Sequence, residues 1–210
     1  MNPFPLILSA PSGGGKTTIA RKLLEQRSDV GYSISCTTRP PRAGEVTGRD
    51  YFFITPEEFR ARRDRGEFAE SAEVHGHWYG TLRSEIGRVL AEGKHVIMDI
   101  DVQGAAQLGS AFPHAVRVFV LPPSADELLK RLRARKTEDR GSLARRMMTA
   151  LEEVRHAEEY QYVVVNDDLG RAVARVSAVI DAETSRRERV HDLEAQVRSL
   201  IERLEREIGA

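Results

Sequence analysis

Hydrophobic residues concentrate in four short runs rich in β-branched side chains, and each run is typical of a buried β-strand. These runs cover residues 4–9, 95–100, 115–121 and 160–165. Between them, apolar residues recur at helical spacing over residues 17–26 and 84–92. Strands that alternate with helices usually form a parallel sheet covered by helices. The pattern therefore predicts the α/β class for the chain before residue 183.

Two segments interrupt this alternation and are richer in polar and charged residues than the runs around them. Residues 31–83 hold strand-like pieces, a helical piece at 56–65 and turn signals, which predict a small mixed α/β insertion. Residues 124–156 open with the helix-capping pattern PSADEL and are dense in arginine, so we predict a helical lid. Residues 1–182 then form a single domain. Its core consists of residues 1–30, 84–123 and 157–182.

From residue 183 onward, apolar residues are spaced three or four positions apart among alternating charges. They are Val190, Leu193, Val197, Leu200 and Leu204. The spacing predicts an amphipathic C-terminal helix over residues 183–210, with a repeat too short to establish a coiled coil. Two interpretations stay open: the helix packs against the core of its own chain, or it contacts a second copy in a homo-oligomer.

Charge and cysteine content narrow the classes of partner and compartment. Lys plus Arg (32) equal Asp plus Glu (32), so no net charge attracts nucleic acid or an anionic membrane, and we expect neither as a partner. Cys36 is the only cysteine, which rules out an internal disulfide. The N-terminal residues lack the pattern of a signal peptide, and no apolar run approaches the roughly 18 residues of a membrane span. We therefore expect a cytoplasmic protein.

The first strand leads through the glycine-rich stretch SAPSGGGKTT into a helix, which is the pattern of a phosphate-binding loop. Glycines let backbone N–H groups approach phosphate oxygens, Lys16 places a positive charge between the β- and γ-phosphates, and the Thr17 hydroxyl can bind Mg²⁺. Ala10 stands where the general pattern has its first glycine, and it can serve there if its φ is negative. The predicted ATP-binding residues of the loop are Ala10, Pro11, Ser12, Gly13, Gly14, Gly15, Lys16 and Thr17.

Two aspartates end the second strong strand pattern, in the stretch HVIMDID. Asp99 and Asp101 lie at the carboxyl end of this strand, where ligands bind in parallel sheets. We predict that one of them, Asp99, faces Mg²⁺ or its water together with Thr17. A helix-cap or strand-end role is the alternative for either aspartate.

A proline-rich stretch, SCTTRPPRAGE, presents two arginines three positions apart. The planar guanidinium groups of Arg39 and Arg42 suit a phosphate dianion, and Tyr51 follows in GRDYFF. By themselves the two arginines could equally be ordinary surface residues.

Five stretches together resemble the guanylate kinase family, and they occur in the family's order: SAPSGGGKTT, SCTTRPPRAGEVTGRDYFF, FAESAEVHGHWYGT, MDIDVQG and VNDDL. The resemblance covers residues 4 to 181. It implies a P-loop NTPase-type parallel sheet with a GMP-binding insertion and a lid. It also implies Mg²⁺-dependent transfer of a phosphoryl group from ATP to GMP, which gives ADP and GDP in purine nucleotide metabolism.

The resemblance also implies roles for individual residues. Those expected to hold the phosphate of GMP are Arg39, Arg42, Tyr51 and Tyr79, and those expected to read guanine are Ser35, Glu70, Thr81 and Asp101. Lid residues expected to fold over the transferred group are Arg131, Arg135 and Arg146, which complete the predicted catalytic set with Lys16 and Arg39. Solvent-exposed helix charge is the alternative for the lid arginines. Asn166 resembles the position near the adenine of ATP, with a turn or helix-cap role as the alternative.

The chemistry of guanine agrees with these roles. Guanine presents two adjacent donors that a carboxylate such as Glu70 can accept, whereas adenine offers an acceptor at N1, so we predict a preference for GMP over AMP. The acceptor phosphate is already largely ionised, so no catalytic base is required, and His75 and His77 need no role in catalysis or metal binding.

Two other functions remain as alternatives. A scaffold-type module of the same fold would use the GMP groove for a phosphorylated protein, but it would not need Lys16, Thr17 and the lid arginines. A P-loop kinase with another acceptor, such as a sugar phosphate, would not need the guanine-reading residues.

Overall fold

The structure is a computed structural model that describes residues 2–74, 76–134 and 140–209. The strands in these ranges are β1 (Pro5–Ser9), β2 (Val30–Tyr32), β3 (Cys36–Thr37), β4 (Phe52–Phe53), β5 (Phe68–Val74), β6 (His77–Leu82), β7 (His95–Asp99), β8 (Val116–Leu121) and β9 (Tyr162–Val165). The helices are α1 (Lys16–Gln26), α2 (Pro56–Asp64), α3 (Arg83–Ala91), α4 (Val102–Ala111), α5 (Ala125–Ala134), α6 (Arg140–Arg155), α7 (Leu169–Thr184) and α8 (Leu193–Gly209).

A five-stranded parallel sheet, in the order β2-β7-β1-β8-β9, carries the main core. Side chains alternate across β1: Leu6 and Leu8 pack with α1 and α7 on one face, and Ile7 packs with α3 and α4 on the other. Because both faces are covered, the central strands are apolar throughout and not alternately polar. The predicted α/β class, with a parallel sheet flanked by helices, is confirmed.

The parallel sheet contains one strand more than the four that we predict. Tyr32 of β2 lies opposite Ile97 of β7 in the parallel register, although we assign residues 31–35 to the insertion. A Cβ on Gly31 would lie 2.6 Å from Cγ1 of Val89, so a glycine is needed where α3 packs on this edge strand. The strand has only three residues and a central glycine, which is why its hydrophobic pattern is weak.

A second sheet of four strands follows, in the order β4-β3-β6-β5. It is mixed, because β3 pairs with β4 in parallel and with β6 antiparallel. Helix α2 starts at Pro56 after the N-cap Thr55 and covers this sheet through Phe59, which stacks on Phe68 at 4.4 Å between ring centroids. This small α/β unit lies within the segment that we predict as an insertion.

Helices α5 and α6 occupy the segment that we predict as a lid. The Ser124 hydroxyl accepts the Glu127 N–H at 3.2 Å at the start of α5, as the capping pattern predicts. Arg135, a predicted lid residue, lies outside the described residues.

The C-terminal segment differs from the prediction in two respects. Its helix is shorter than predicted, and the helix does not pack against the core of its own chain. Helix α7 continues to Thr184, the chain then turns, and α8 starts only at Leu193 after Asp192, whose φ is 51°. No residue of α8 is buried, so the interpretation that this helix packs against its own core is wrong. Amphipathic spacing shows that a helix has an apolar face, but it does not specify what covers that face.

The turn before α8 is fixed to the core by one buried carboxylate. Glu183 accepts the Tyr162 hydroxyl at 2.6 Å and forms an ion pair with Arg189 at 3.2 Å. Arg189 also donates to the carbonyl of His114 at 2.8 Å. The root of α8 is therefore held even though the helix itself is exposed. Within the described ranges, no helix combines the length and the hydrophobicity that crossing a membrane requires.

Candidate active site

The loop between β1 and α1 has the geometry of an anion-binding nest. Gly13 and Gly15 have φ of 82° and 97°, and the Gly14 N–H donates to the carbonyl of Pro11 at 2.7 Å. Helix α1 begins with no side-chain cap and no acidic residue in its first turn, so its free N–H groups and dipole favour an anion. In the part of the chain that the structure describes, Asp192 is the one non-glycine residue with positive φ, so Ala10 meets its predicted condition.

Asn166 supports this loop from the end of β9. Its Nδ2 donates to the carbonyl of Gly14 at 2.8 Å, and the side chain is buried. A Cβ on Gly15 would lie 2.5 Å from the same Nδ2, so only glycine permits this contact. The N-cap of α7 is Asp168, which excludes the helix-cap alternative for Asn166. Its predicted place near adenine remains a prediction.

Asp99 faces the phosphate loop, and both of its carboxylate oxygens accept hydroxyl protons. Oδ2 accepts from Thr17 and Oδ1 accepts from Tyr32. Burial, followed by the nearby Asp99, raises the pKa of Tyr32 well above its ordinary value, so this hydroxyl stays a donor. Sequence reasoning missed Tyr32, because its role depends on β2 lying beside β7.

Asp101 has the helix-cap role that we left open. Its Oδ1 accepts the Gly104 N–H at 2.8 Å at the start of α4. The negative charge of its carboxylate also adds to the increase in the pKa of Glu70. Both carboxylates lie beside Gly104, so Asp101 borders the predicted guanine site. Among the residues whose positions are described, no three His, Cys, Asp or Glu side chains are grouped to hold a metal.

Glu70 and Thr81 form a buried polar pair across β5 and β6. The Thr81 hydroxyl donates to Oε1 of Glu70 at 2.6 Å, and Ser35 Oγ lies 3.4 Å from Thr81 Oγ1. Burial raises the pKa of Glu70 to about 7. A Cβ on Gly104 would lie 2.7 Å from Glu70 Oε2, so a glycine gives this carboxylate its space.

The predicted phosphate-holding arginines and tyrosines cluster beside β3 and β4. Arg39 lies 5.5 Å from the ring centroid of Tyr51, and the Tyr51 and Tyr79 rings lie 6.0 Å apart. Burial raises the pKa of Tyr51 to about 12. Arg42 is exposed, and its backbone N–H donates to Glu45 at 2.7 Å.

Glu45 is a member of this cluster that sequence reasoning missed. Its Oε1 forms an ion pair with Arg39 at 2.9 Å while Oε2 accepts the Arg42 N–H, so one carboxylate fixes both arginine positions. The bond to Arg39 holds the pKa of Glu45 below its ordinary value. The regular spacing of Arg39, Arg42 and Glu45 was the available signal.

Of the predicted lid arginines, Arg131 lies beside Gly13 of the phosphate loop, and Arg146 contacts α5. Arg131 donates to Glu127 at 2.9 Å and to the carbonyl of Asn166 at 3.3 Å. Arg146 is buried, and its Nη1 donates to the carbonyl of Leu132 at 3.1 Å. Its Nη2 is buried without a hydrogen-bond partner among the described residues. The alternative interpretation of Arg146 as a solvent-exposed charge on a helix is therefore excluded.

A parallel sheet whose first strand leads through a glycine nest to a helix N-terminus, beside a paired threonine and aspartate, defines a P-loop nucleotide-binding protein. The sequence profile of the family described as Guanylate kinase matches residues 2–183. This chain belongs to the guanylate kinase family.

Individual relatives support this assignment over most of the chain. A guanylate kinase of Nitratidesulfovibrio vulgaris is 50% identical over 179 residues, which cover 85% of this chain and 86% of that protein. A guanylate kinase of Caldanaerobacter subterraneus subsp. tengcongensis is 44% identical over 193 residues, 92% of this chain and 94% of the relative. The crystal structure of guanylate kinase from Anaplasma phagocytophilum matches with a TM-score of 0.78 at 34% identity, over 94% of each chain.

Proposed function

We propose that this protein is a guanylate kinase that transfers the γ-phosphoryl group of ATP to GMP and releases ADP and GDP. The observation that carries this proposal is a buried carboxylate, Glu70, in the same domain as an intact phosphate loop. A carboxylate without a cation partner is costly to bury unless a ligand supplies donors. Guanine supplies two.

The guanine site that we propose consists of Glu70, Thr81, Ser35 and Asp101. Glu70 accepts the N1–H and the exocyclic amine of guanine, while Thr81 holds the carboxylate in place. Adenine would direct the N1 lone pair at the same carboxylate and leave a buried group unpaired, which penalises AMP.

The clusters described above supply residues for the phosphate of GMP and for the phosphates of ATP. The phosphate of GMP is assigned to Arg39, Arg42, Tyr51 and Tyr79, because guanidinium forks and phenol hydroxyls donate to phosphate oxygens. The β- and γ-phosphates of ATP are assigned to the N–H groups of Gly13, Gly15, Lys16 and Thr17 and to the side chain of Lys16. We place adenine near Asn166, whose side chain also supports the loop.

Magnesium fits the pair formed by Thr17 and Asp99, because Mg²⁺ takes oxygen ligands and usually binds one or two protein groups with phosphates and water. When bound, it neutralises charge on the phosphate oxygens. Thr17 and Asp99 are already in contact, and Tyr32 fixes the second oxygen of Asp99, so the protein holds these ligands in place.

Phosphoryl transfer in this site needs positioning and charge stabilisation and no general base. The acceptor oxygen of GMP is largely ionised near neutral pH because the second pKa of a phosphate monoester is about 6. Lys16 and the lid arginines Arg131, Arg135 and Arg146 stabilise charge on the transferred group and exclude water.

The test is a coupled assay of ADP release with ATP and Mg²⁺, in which GMP, AMP, UMP and a ribose phosphate are offered separately. We expect turnover with GMP that AMP does not replace. Turnover with a sugar phosphate would favour the other P-loop kinase. Silence with every acceptor in folded protein would favour a scaffold-type binding module.

We also propose a place and a partner for this activity. A kinase that converts GMP to GDP acts in purine nucleotide metabolism. Because it consumes ATP, which the cytoplasm supplies, we place the activity in the cytoplasm. A second copy of the chain is the proposed occupant of the apolar face of α8. That helix carries three arginines and four glutamates, so two copies bring complementary charges together with little net repulsion.

A further inference from the structure

Glu153 is a buried carboxylate that the mechanism above does not use. It lies near the end of α6, and its Oε2 accepts the Ser12 N–H at 2.9 Å. Ser12 belongs to the phosphate-binding loop and precedes Glu153 by 141 residues. This hydrogen bond therefore joins the helix that we predict as a lid to the loop that we assign to ATP.

Charged groups from both proposed nucleotide sites affect Glu153. Burial raises the pKa of Glu153 above its ordinary value, while the Ser12 N–H and the nearby Lys16 act in the opposite direction. Asp101, in the proposed guanine site, adds to the increase. Glu153 is thus close enough to Lys16 and to Asp101 for both charges to affect its pKa.

The same face of α6 carries the predicted lid arginine Arg146. Arg146 and Glu153 are seven residues apart, which is about two helical turns. Arg146 is tied to α5 through the carbonyl of Leu132, and Glu153 is tied to the phosphate loop. A displacement of α6 would therefore act on both contacts at once.

We infer that Glu153 is a positioning residue that fixes the Ser12 end of the phosphate-binding loop to the lid helix α6. The inference rests on the proposed function, because it assigns Glu153 to the ATP side of the reaction. Without the carboxylate, the Ser12 N–H loses its acceptor and Lys16 loses a nearby opposite charge. The loop would then adopt its phosphate-binding shape less often.

The test compares the binding of ADP and of GMP, each measured separately by calorimetry, in Glu153→Ala and Glu153→Gln. We expect Glu153→Ala to weaken ADP binding by about tenfold and to leave GMP binding within about twofold. Glu153→Gln keeps a carbonyl oxygen that can accept the Ser12 N–H, so it should recover most of the loss. Glu152→Ala is the matched control, because Glu152 is exposed and pairs only with Arg155, at 2.7 Å, among the described contacts.

Three results would overturn the inference. Unchanged ADP binding in Glu153→Ala would remove the role, and tighter ADP binding would mean that the carboxylate competes with phosphate. Equal losses for ADP and GMP, with a lower Tm, would indicate a general structural role. Wild-type protein that binds ADP but lacks GMP-dependent turnover would instead overturn the proposed function, so the two failures are distinguishable.

Discussion

Glu70 is a carboxyl group buried beside Thr81 and Asp101, and burial raises its pKa from 4.5 to about 7. The folded state binds this proton more tightly than the unfolded state does. Protonated Glu70 therefore makes its full contribution to the unfolding free energy only below pH 4.5. As the pH rises to 7, that contribution is lost, and the shift corresponds to about 3 kcal/mol of unfolding free energy. Ionised Glu70 is then the form that can accept both donors of guanine.

We expect Glu70→Gln to remove this pH dependence. The amide does not ionise, so the unfolding free energy of the variant relative to wild type should increase between pH 5 and pH 8 by about 2–3 kcal/mol. Urea unfolding at several pH values measures it. Glu73→Gln is the control on the same strand, because Glu73 is exposed. Parallel curves for Glu70→Gln and wild type would contradict a perturbed Glu70.

The same substitution should weaken the binding of GMP. A glutamine amide cannot accept both donors of guanine, so we expect GMP affinity to fall by about a hundredfold with ATP affinity little changed. Calorimetry with each nucleotide measures the two effects. Equal losses for both nucleotides would exclude Glu70 from guanine recognition.

The shape of the phosphate-binding loop depends on Gly14, which packs against Ala10 and Pro11 at the start of the loop. A Cβ on Gly14 would lie 2.6 Å from Cβ of Ala10 and 2.9 Å from the carbonyl oxygen of Pro11. Neither neighbour can move easily, since Ala10 is fully buried and the Pro11 carbonyl accepts the Gly14 N–H. The loop shape and the side chain of residue 14 are therefore coupled.

We expect Gly14→Ala to raise the KM for ATP by at least tenfold while the KM for GMP stays near wild type. Gly87→Ala is the matched control. Gly87 lies in α3 with no heavy atom within 4 Å of an added Cβ, so this change should increase the unfolding free energy by about 1 kcal/mol. Unaltered ATP kinetics in Gly14→Ala would contradict the proposed binding loop.

Elements built from local patterns could be predicted, whereas contacts made across elements could not. The apolar runs predict β1, β7, β8 and β9, and the glycine-rich stretch predicts the loop before α1, because each signal lies within a few adjacent residues. Strand β2 was not predicted as part of the parallel sheet, because its place there depends on its pairing with β7. Tyr32 and Glu153 were missed for the same reason, since each owes its role to a partner supplied by the fold. Glu45 is different, because its partners Arg39 and Arg42 lie only six and three residues away in the same loop.

At the scale of the whole molecule, polar contacts and apolar packing connect the parallel sheet with the smaller mixed sheet. Arg21 on α1 forms an ion pair with Asp50 at 2.9 Å, and Asp50 precedes Tyr51 of the phosphate-holding cluster. Ala69 of β5 packs in the same apolar cluster as α3, α4 and the parallel sheet. The proposed ATP and GMP sites are thus joined by both polar contacts and apolar packing.

Helix α8 is the part of the molecule that the fold leaves unpartnered. Val197, Leu200, Ile201, Leu204 and Ile208 are 44%, 65%, 49%, 61% and 85% exposed, and they share one face. The helix is only about 25 Å long, so a pair of copies would bury less than a standard interface. The proposed dimer should therefore be in exchange with monomer at micromolar concentration.

We expect sedimentation velocity to show wild-type protein moving from monomer to dimer as its concentration rises. Leu200→Glu places a charge in the apolar face and should keep the protein monomeric, whereas Ser199→Glu adds the same charge on the opposite face and should leave the dimer intact. Both variants should retain wild-type turnover, because every proposed site residue precedes residue 183. A wild-type monomer at all concentrations, or dissociation by Ser199→Glu to the same extent, would mean that the apolar face of α8 does not serve a second copy.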